Sequence, residues 1–94
     1  MIIEKDIENY LVSRVKKAGG LIYKFTSPSK RAVPDRLIIY KGRHVFVELK
    51  RPHGKARKDQ LVEINRMERH GADIRIIDTK FKVDWLIDEL GARE

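Results

Sequence analysis

Apolar residues recur at helical spacing over the first eighteen positions: Ile3, Ile7, Tyr10, Leu11, Val15 and Ala18, with Gly19-Gly20 as the stop. This predicts an amphipathic helix over residues 3–18. From Leu21 the period shortens to two, and Leu21, Tyr23 and Phe25 fall on one face of a short strand. A polar, basic loop follows from Thr26 to Ala32. Leu37–Tyr40 and Val45–Leu49 then read as two strands joined by a turn at Lys41-Gly42-Arg43. Helical spacing returns from about Arg57 to His70, with Leu61, Ile64, Met67 and Glu68 as the expected buried edge and Gly71 as the stop. Asp73–Asp78 is a fourth strand, with Ile74 and Ile76 on one face. Phe81–Leu90 is a last short helix whose Phe81, Trp85, Leu86 and Leu90 are expected to cover the sheet. The order is α-β-β-β-α-β-α, an α/β chain without repeats, low-complexity tracts or linkers. At 94 residues it is expected to form one domain, 1–94.

Three charged residues, Asp35, Glu48 and Lys50, break into the apolar hairpin, where such residues are depleted. Alternation puts Glu48 and Lys50 on one face and Val47 and Leu49 on the other. Folding about Gly42 brings Asp35 level with Glu48 and Leu49, and Pro34, which cannot donate to a ladder, leaves Asp35 at the start of its strand. Two neighbouring carboxylates repel unless a proton or a cation stands between them. Carboxylate oxygens and backbone carbonyls without thiolate suit the hard ions Mg²⁺ or Mn²⁺, and the Leu49 carbonyl is a candidate further ligand. Lys50 is placed to hold an attacking water or to offset developing charge. Structural ion pairs, Asp35 with Lys50 and Glu48 with Arg51, are the plainer alternative. On the first helix, Glu4 and Glu8 lie on the flank of the apolar stripe, which the helix dipole and pairing with Lys5 or Lys16 would also explain. Gln60 falls on the same face of the second helix as Ile64 and Met67; directed inward, its amide needs a polar partner, the nearest being the hairpin's charged end, while a near-cap glutamine wetted by solvent is the plainer alternative.

Composition narrows the chemistry further. There is no cysteine, which excludes disulfides and thiolate-bound zinc or iron–sulfur centres. Charges interrupt the first six residues where a signal peptide needs its apolar core, and no apolar run is long enough to span a bilayer; the expectation is a cytoplasmic protein without membrane contact. Twenty-one Lys+Arg against fourteen Asp+Glu leave a formal charge of +7, which suits a polyanion binder and equally a small protein kept soluble by its charge. Lys30, Arg31, Arg36, Arg51, Lys55, Arg57 and Lys58 lie in the loops around the charged end of the hairpin, positioned to hold a DNA backbone.

Pro34-Asp35 followed by Glu48-Leu49-Lys50 resembles the signature of the PD-(D/E)XK nuclease superfamily. The surrounding Val33-Pro34-Asp35-Arg36-Leu37, Val45-Phe46-Val47-Glu48-Leu49-Lys50-Arg51-Pro52, Gly54-Lys55 and Gln60 resemble the VRR-NUC (virus-type replication-repair nuclease) family, over most of the chain from Glu4 to about Asp78. The resemblance implies a restriction-endonuclease-like core with a mixed central sheet flanked by helices. It implies catalytic roles for Asp35, Glu48, Lys50 and Gln60, with a divalent ion, Mg²⁺ or Mn²⁺, on Asp35, Glu48 and the Leu49 carbonyl. An acidic residue of the first helix, Glu8 or alternatively Glu4, would complete the set, Glu8 being favoured because its distance from the helix-ending glycine is similar to that in archaeal Holliday junction resolvases. It further implies a homodimer acting on branched DNA such as Holliday junctions, for which Tyr10, Phe81 and Trp85 are surplus apolar groups available to an interface. The family usually has glycine before Val-Pro-Asp; this chain has Ala32, so the loop ahead of Asp35 is expected to differ in detail. A catalytically inactive DNA-binding module of the same fold is the alternative.

Overall fold

The computed structural model describes residues 1–91. Its elements are α1 (Glu4–Lys17), β1 (Leu21–Lys24), β2 (Arg36–Tyr40), β3 (Arg43–Leu49), α2 (Lys58–Arg69), β4 (Asp73–Ile77) and α3 (Lys80–Glu89). No described helix is long and apolar enough to cross a membrane. The four strands form one sheet in the order β1-β2-β3-β4; the first three are antiparallel and β4 joins β3 in parallel, making the sheet mixed. A parallel neighbour needs a crossover, and α2 supplies it.

Local chemistry accounts for the element ends. In α1 the first turn carries Glu4 and Asp6 and the last turn Arg14, Lys16 and Lys17, charges matched to the helix dipole. The Asp6 carboxylate also accepts the free Ile3 N–H at 2.9 Å. Thr79 caps α3 by accepting the Lys82 N–H at 3.1 Å. The β2–β3 hairpin is tighter than the sequence predicts: Arg43 pairs with Tyr40, so the turn is Lys41-Gly42 alone. Both turn residues have positive φ, 46° and 84°, the two-residue geometry that follows strand twist, and glycine tolerates it without strain.

One face of the sheet packs on α1 and α3. Ile7, Leu11 and Val15 of α1 meet Ile22, Ile38, Val45, Val47 and Leu49, while Val83, Leu86, Ile87 and Leu90 close over Ile77. Each such side chain removed from water contributes about 1.5–3 kcal/mol before entropy is counted, so this layer holds the sheet. Glu48, Phe46 and Ile74 point to the other face, which α2 covers with Gln60 and Ile64.

Two expectations change. Leu61 and Glu68 are exposed, and the inward stripe of α2 is Gln60, Ile64 and the half-buried Glu63 and Met67. Phe81 and Trp85 do not cover the sheet but stand 76% and 65% exposed. Val83 and Ile87, with Leu86, take that place because α3 is turned so that Asp84 meets α1, accepting hydrogen bonds from Tyr10 (2.6 Å) and Arg14.

Candidate active site

The hairpin register decides the site. Arg36 lies opposite Val47, so the next step outward sets Asp35 against Glu48. There the ladder continues through a side chain: the Leu49 N–H donates to Asp35 Oδ2 at 2.9 Å, while the Asp35 carbonyl accepts the Phe25 N–H at 2.8 Å. Asp35 is thus tied to both neighbouring strands, and its carboxylate is aimed across the end of β3.

Glu48, the next inward position on β3, is 1% exposed. Its Oε2 accepts from Gln60 Nε2 at 2.7 Å and from Lys50 Nζ at 3.0 Å. Its Oε1 is buried and has no hydrogen-bond partner. Burial pushes the Glu48 carboxyl above its ordinary range and the Asp35 charge adds to the rise; the Lys50 ammonium and the Gln60 amide offset only part of it. A buried carboxyl with one bare oxygen in this state calls for a proton or a cation.

The Gln60 amide is oriented from behind. Its Oε1 accepts the Arg57 N–H at 2.9 Å at the start of α2, which leaves the NH₂ group to face Glu48. A tight turn delivers α2 to this position: the Gly54 N–H donates to the Arg51 carbonyl at 2.8 Å, with Pro52 and the left-handed His53 (φ 63°) between them. A Cβ on Gly54 would stand 2.9 Å from that carbonyl, so glycine is required.

Helix α1 brings its acids to the same end but does not complete a cluster. Glu8 Oε2 accepts from Arg36 Nε at 2.8 Å, and Lys5 Nζ lies 3.3 Å from Glu8 Oε1. Burial would raise the Glu8 carboxyl, but Arg36 and Lys5 outweigh it and hold the group below its ordinary range. Glu4 is exposed. Among the described residues no three His, Asp or Glu side chains stand close enough together to hold an ion. The structure therefore brings together Asp35, Glu48, Lys50 and Gln60, and places Glu8 beside them in an ion pair of its own.

The expected DNA-contacting residues divide likewise. Lys30, Arg31, Arg51, Lys55 and Arg57 are exposed on the two loops at this end of the sheet, and Lys58 is exposed at the first position of α2. Arg36 is not available to a phosphate: it is only 15% exposed at its side chain and is committed to Glu8. That pair was not foreseen, because nothing local in the sequence links residues 8 and 36. Nor was a cavity of about 280 Å³ beside Asp35, lined also by Glu4, Glu8, Lys24, Phe25 and Thr26.

No protein-family model matches the sequence. A solved structure described as a "VRR_NUC domain" superposes with a TM-score of 0.84 at 31% identity, covering 90% of this chain and 94% of that one. In sequence, the chain is 43% identical over 81 residues to "Putative nuclease p44" of Acyrthosiphon pisum secondary endosymbiont phage 1, covering 85% of this chain and 87% of the relative. The chain belongs to the VRR-NUC nuclease family. The α/β architecture with a mixed four-stranded sheet between helices is the architecture of that family's solved domain, as the sequence resemblance implies. Within this VRR-NUC chain, the end of β3 combines two facing carboxylates, an ammonium and an oriented amide beneath two cationic loops. Carboxylate oxygens with an orphaned buried one among them fit a hard divalent ion.

Proposed function

We propose that this VRR-NUC chain is a Mg²⁺- or Mn²⁺-dependent DNA endonuclease that hydrolyses phosphodiesters of branched DNA, four-way junctions included. The observation that carries the reading is Glu48: a buried carboxylate, facing Asp35, that keeps one oxygen bare while Lys50 and Gln60 share the other. Asp35, Glu48 and the Leu49 carbonyl would hold the ion. When bound, it would lower the pKa of a coordinated water and offset charge on the phosphorane-like transition state.

The chain's own groups do the rest. Gln60 and the Arg57 N–H fix the Glu48 carboxylate against rotation, so the bare oxygen stays presented. Lys50, held 3.0 Å from Glu48, is positioned to orient the attacking water or to meet the charge that gathers on phosphate oxygen as the new P–O bond forms and the ester P–O bond breaks. Glu8 braces α1 against Arg36, next in chain to Asp35, and completes the acidic set only if that pair opens. Lys30, Arg31, Arg51, Lys55, Arg57 and Lys58 hold the DNA backbone. Cutting both strands of a junction symmetrically takes two sites, and a homodimer provides them; the exposed Phe81 and Trp85 on α3 are apolar surface free to serve it.

The test is incubation with a four-way junction, a flap and plain duplex in Mg²⁺, Mn²⁺ or EDTA, read on denaturing gels. Products with either ion, preferentially from branched substrates, and none in EDTA are expected; DNA left intact by the folded protein with both ions overturns the reading.

A further inference from the structure

Asp35 and Arg36 are neighbours in the chain whose side chains serve different elements. Asp35 accepts the Leu49 N–H at the end of β3, whereas Arg36 Nε donates to Glu8 Oε2 on α1 at 2.8 Å. The side chains of Arg36 and Glu8 are only 15% and 14% exposed, so water and salt screen their attraction less than that of a surface pair. Lys5, the second cation on Glu8, stands 3.3 Å away and is 60% exposed, so it adds little. Glu8 and Asp35 nevertheless wall one cavity of about 280 Å³. The α1 acid and the candidate ion ligand thus share open space. Even so, among the described residues no three His, Asp or Glu side chains gather closely enough to hold an ion. What keeps Glu8 back is its bond to Arg36.

We infer that Arg36 is a positioning residue that holds Glu8 out of the ion seat. In the free chain the seat then consists of Asp35, Glu48 and the Leu49 carbonyl, and the Arg36–Glu8 pair sets how tightly it takes a hard divalent cation. Opening the pair frees a third carboxylate, the ligand type such an ion prefers. It also leaves a partly buried guanidinium without its partner, a state the fold disfavours. Ion affinity gained through Glu8 is therefore reduced by the small fraction of molecules in which the pair is open. The inference rests on the ion seat of the proposed endonuclease. It has a consequence opposite to the usual one for a charged residue beside a site: removing Arg36 strengthens the seat.

The experiment is calorimetric titration of the full chain with Mn²⁺ in the absence of DNA. Arg36→Gln should bind the ion about tenfold more tightly than wild type, the scale on which groups that orient ligands change metal affinity. Arg36→Gln with Glu8→Asp keeps the charge but shortens the reach, and should lose that gain. Arg36→Gln with Glu8→Gln replaces one neutral pair by another and should bind as wild type does. Thermal melting in EDTA establishes that each variant folds; if Arg36→Gln does not, Arg36→Met, which keeps the apolar stem, takes its place. An Arg36→Gln affinity at or below that of wild type makes the pair a brace between α1 and β2 and overturns the inference. So does a gain that Glu8→Asp retains, which would be charge acting at a distance, or a loss in the doubly neutral variant, which would make Glu8 a ligand already. Absence of saturable Mn²⁺ binding in every variant sinks the ion seat and the inference together. The expected order of affinities without cleavage of any DNA sinks the endonuclease reading and leaves the role of Arg36 standing.

Discussion

At the Arg43 end of β3 two carboxylates, Asp73 and Glu89, meet two guanidiniums, Arg43 and Arg75; at the Leu49 end two carboxylates, Asp35 and Glu48, meet one ammonium and one amide. The first group is closed. Arg75 bonds both oxygens of Asp73 (2.7 and 3.2 Å) and both of Glu89 (2.7 and 2.6 Å), and Arg43 adds longer contacts to each. Those contacts hold Asp73 below its ordinary range and push Glu89 down to about 2. At the second group Glu48 is driven the other way by burial, and one of its oxygens has no partner. The same strand thus carries at one end a network that satisfies its charges internally, and at the other a cluster that leaves one carboxylate oxygen without a partner. The first group reads as structural, and the second is the open seat of the proposed site.

The sharpest way to break the contrast is to remove an acid or amine from each end. Asp35→Ala or Lys50→Ala should lower the cleavage rate by about a thousandfold, the loss typical when a preorganised electrostatic group is deleted, while leaving affinity for DNA within a few-fold. Arg75→Ala should leave cleavage per folded molecule unchanged. If the Asp35→Ala protein loses binding and cleavage together, with a lowered melting temperature, Asp35 belongs with the closed network and the contrast fails.

Glu48→Gln tests the open end without disturbing its shape. The ionised form is already disfavoured there, so a neutral isostere should leave the melting temperature of the metal-free protein unchanged or slightly higher. Wild type should melt at a higher temperature with millimolar Mn²⁺ than in EDTA, as any ligand selective for the folded state requires, and Glu48→Gln should lose that increment. A metal-free loss above about 2 kcal/mol would mark Glu48 as a structural anchor instead.

Which parts of this picture can be read from sequence follows from chain separation. The Asp35–Glu48 pairing rests on a hairpin with a two-residue turn, so counting outward from Gly42 is enough. The inward Gln60 is legible for a similar reason, since one helix phase connects it to Ile64. The Arg36–Glu8 pair and the Asp73–Arg75–Glu89 group join residues from different elements whose relative placement depends on packing, and local pattern does not encode it. The placement of Phe25 beside Asp35 depends on the β1–β2 register, which spans an eleven-residue connection, 25–35, too long for its Ser27–Lys30 turn to pin it. Phe81 and Trp85 look like core in the helical period, but Val83, Leu86 and Ile87 offer a second stripe that packs inward once Asp84 is bound to α1.

At the closed end the expected stability effect is smaller. Asp73, Arg75 and Glu89 are about a third exposed, so solvent and salt screen their attraction. Arg75→Ala should cost about 1 kcal/mol, or roughly 4–8 °C in melting temperature for a domain of this size, and less in 0.5 M salt. A change that salt does not diminish would point to packing of the Arg75 stem against β4 instead of charge.

The smallest effect is the pH dependence, and here the two ends should act with opposite sign. Glu89 and Asp73 ionise more readily when folded than at their ordinary values of 4.5 and 3.8; their contribution is present above those values and is lost as pH falls towards about 2. Glu48 ionises less readily when folded than its ordinary 4.5, so its penalty is absent below pH 4.5 and grows as pH rises through the elevated value. Metal-free protein should therefore be most stable on the acid side of neutrality, at or somewhat above pH 4.5, with denaturant melts across pH 3–8 tracing a fall on each side. Glu48→Gln should flatten the fall towards neutral pH and leave the acid side untouched. Glu89→Gln should soften the acid side only in part, because Glu8, held low by Arg36, titrates in the same direction. If Glu48→Gln moved the acid limb instead, the open end would be behaving as the closed one does, and its bare oxygen would need another explanation than a seat left for a cation.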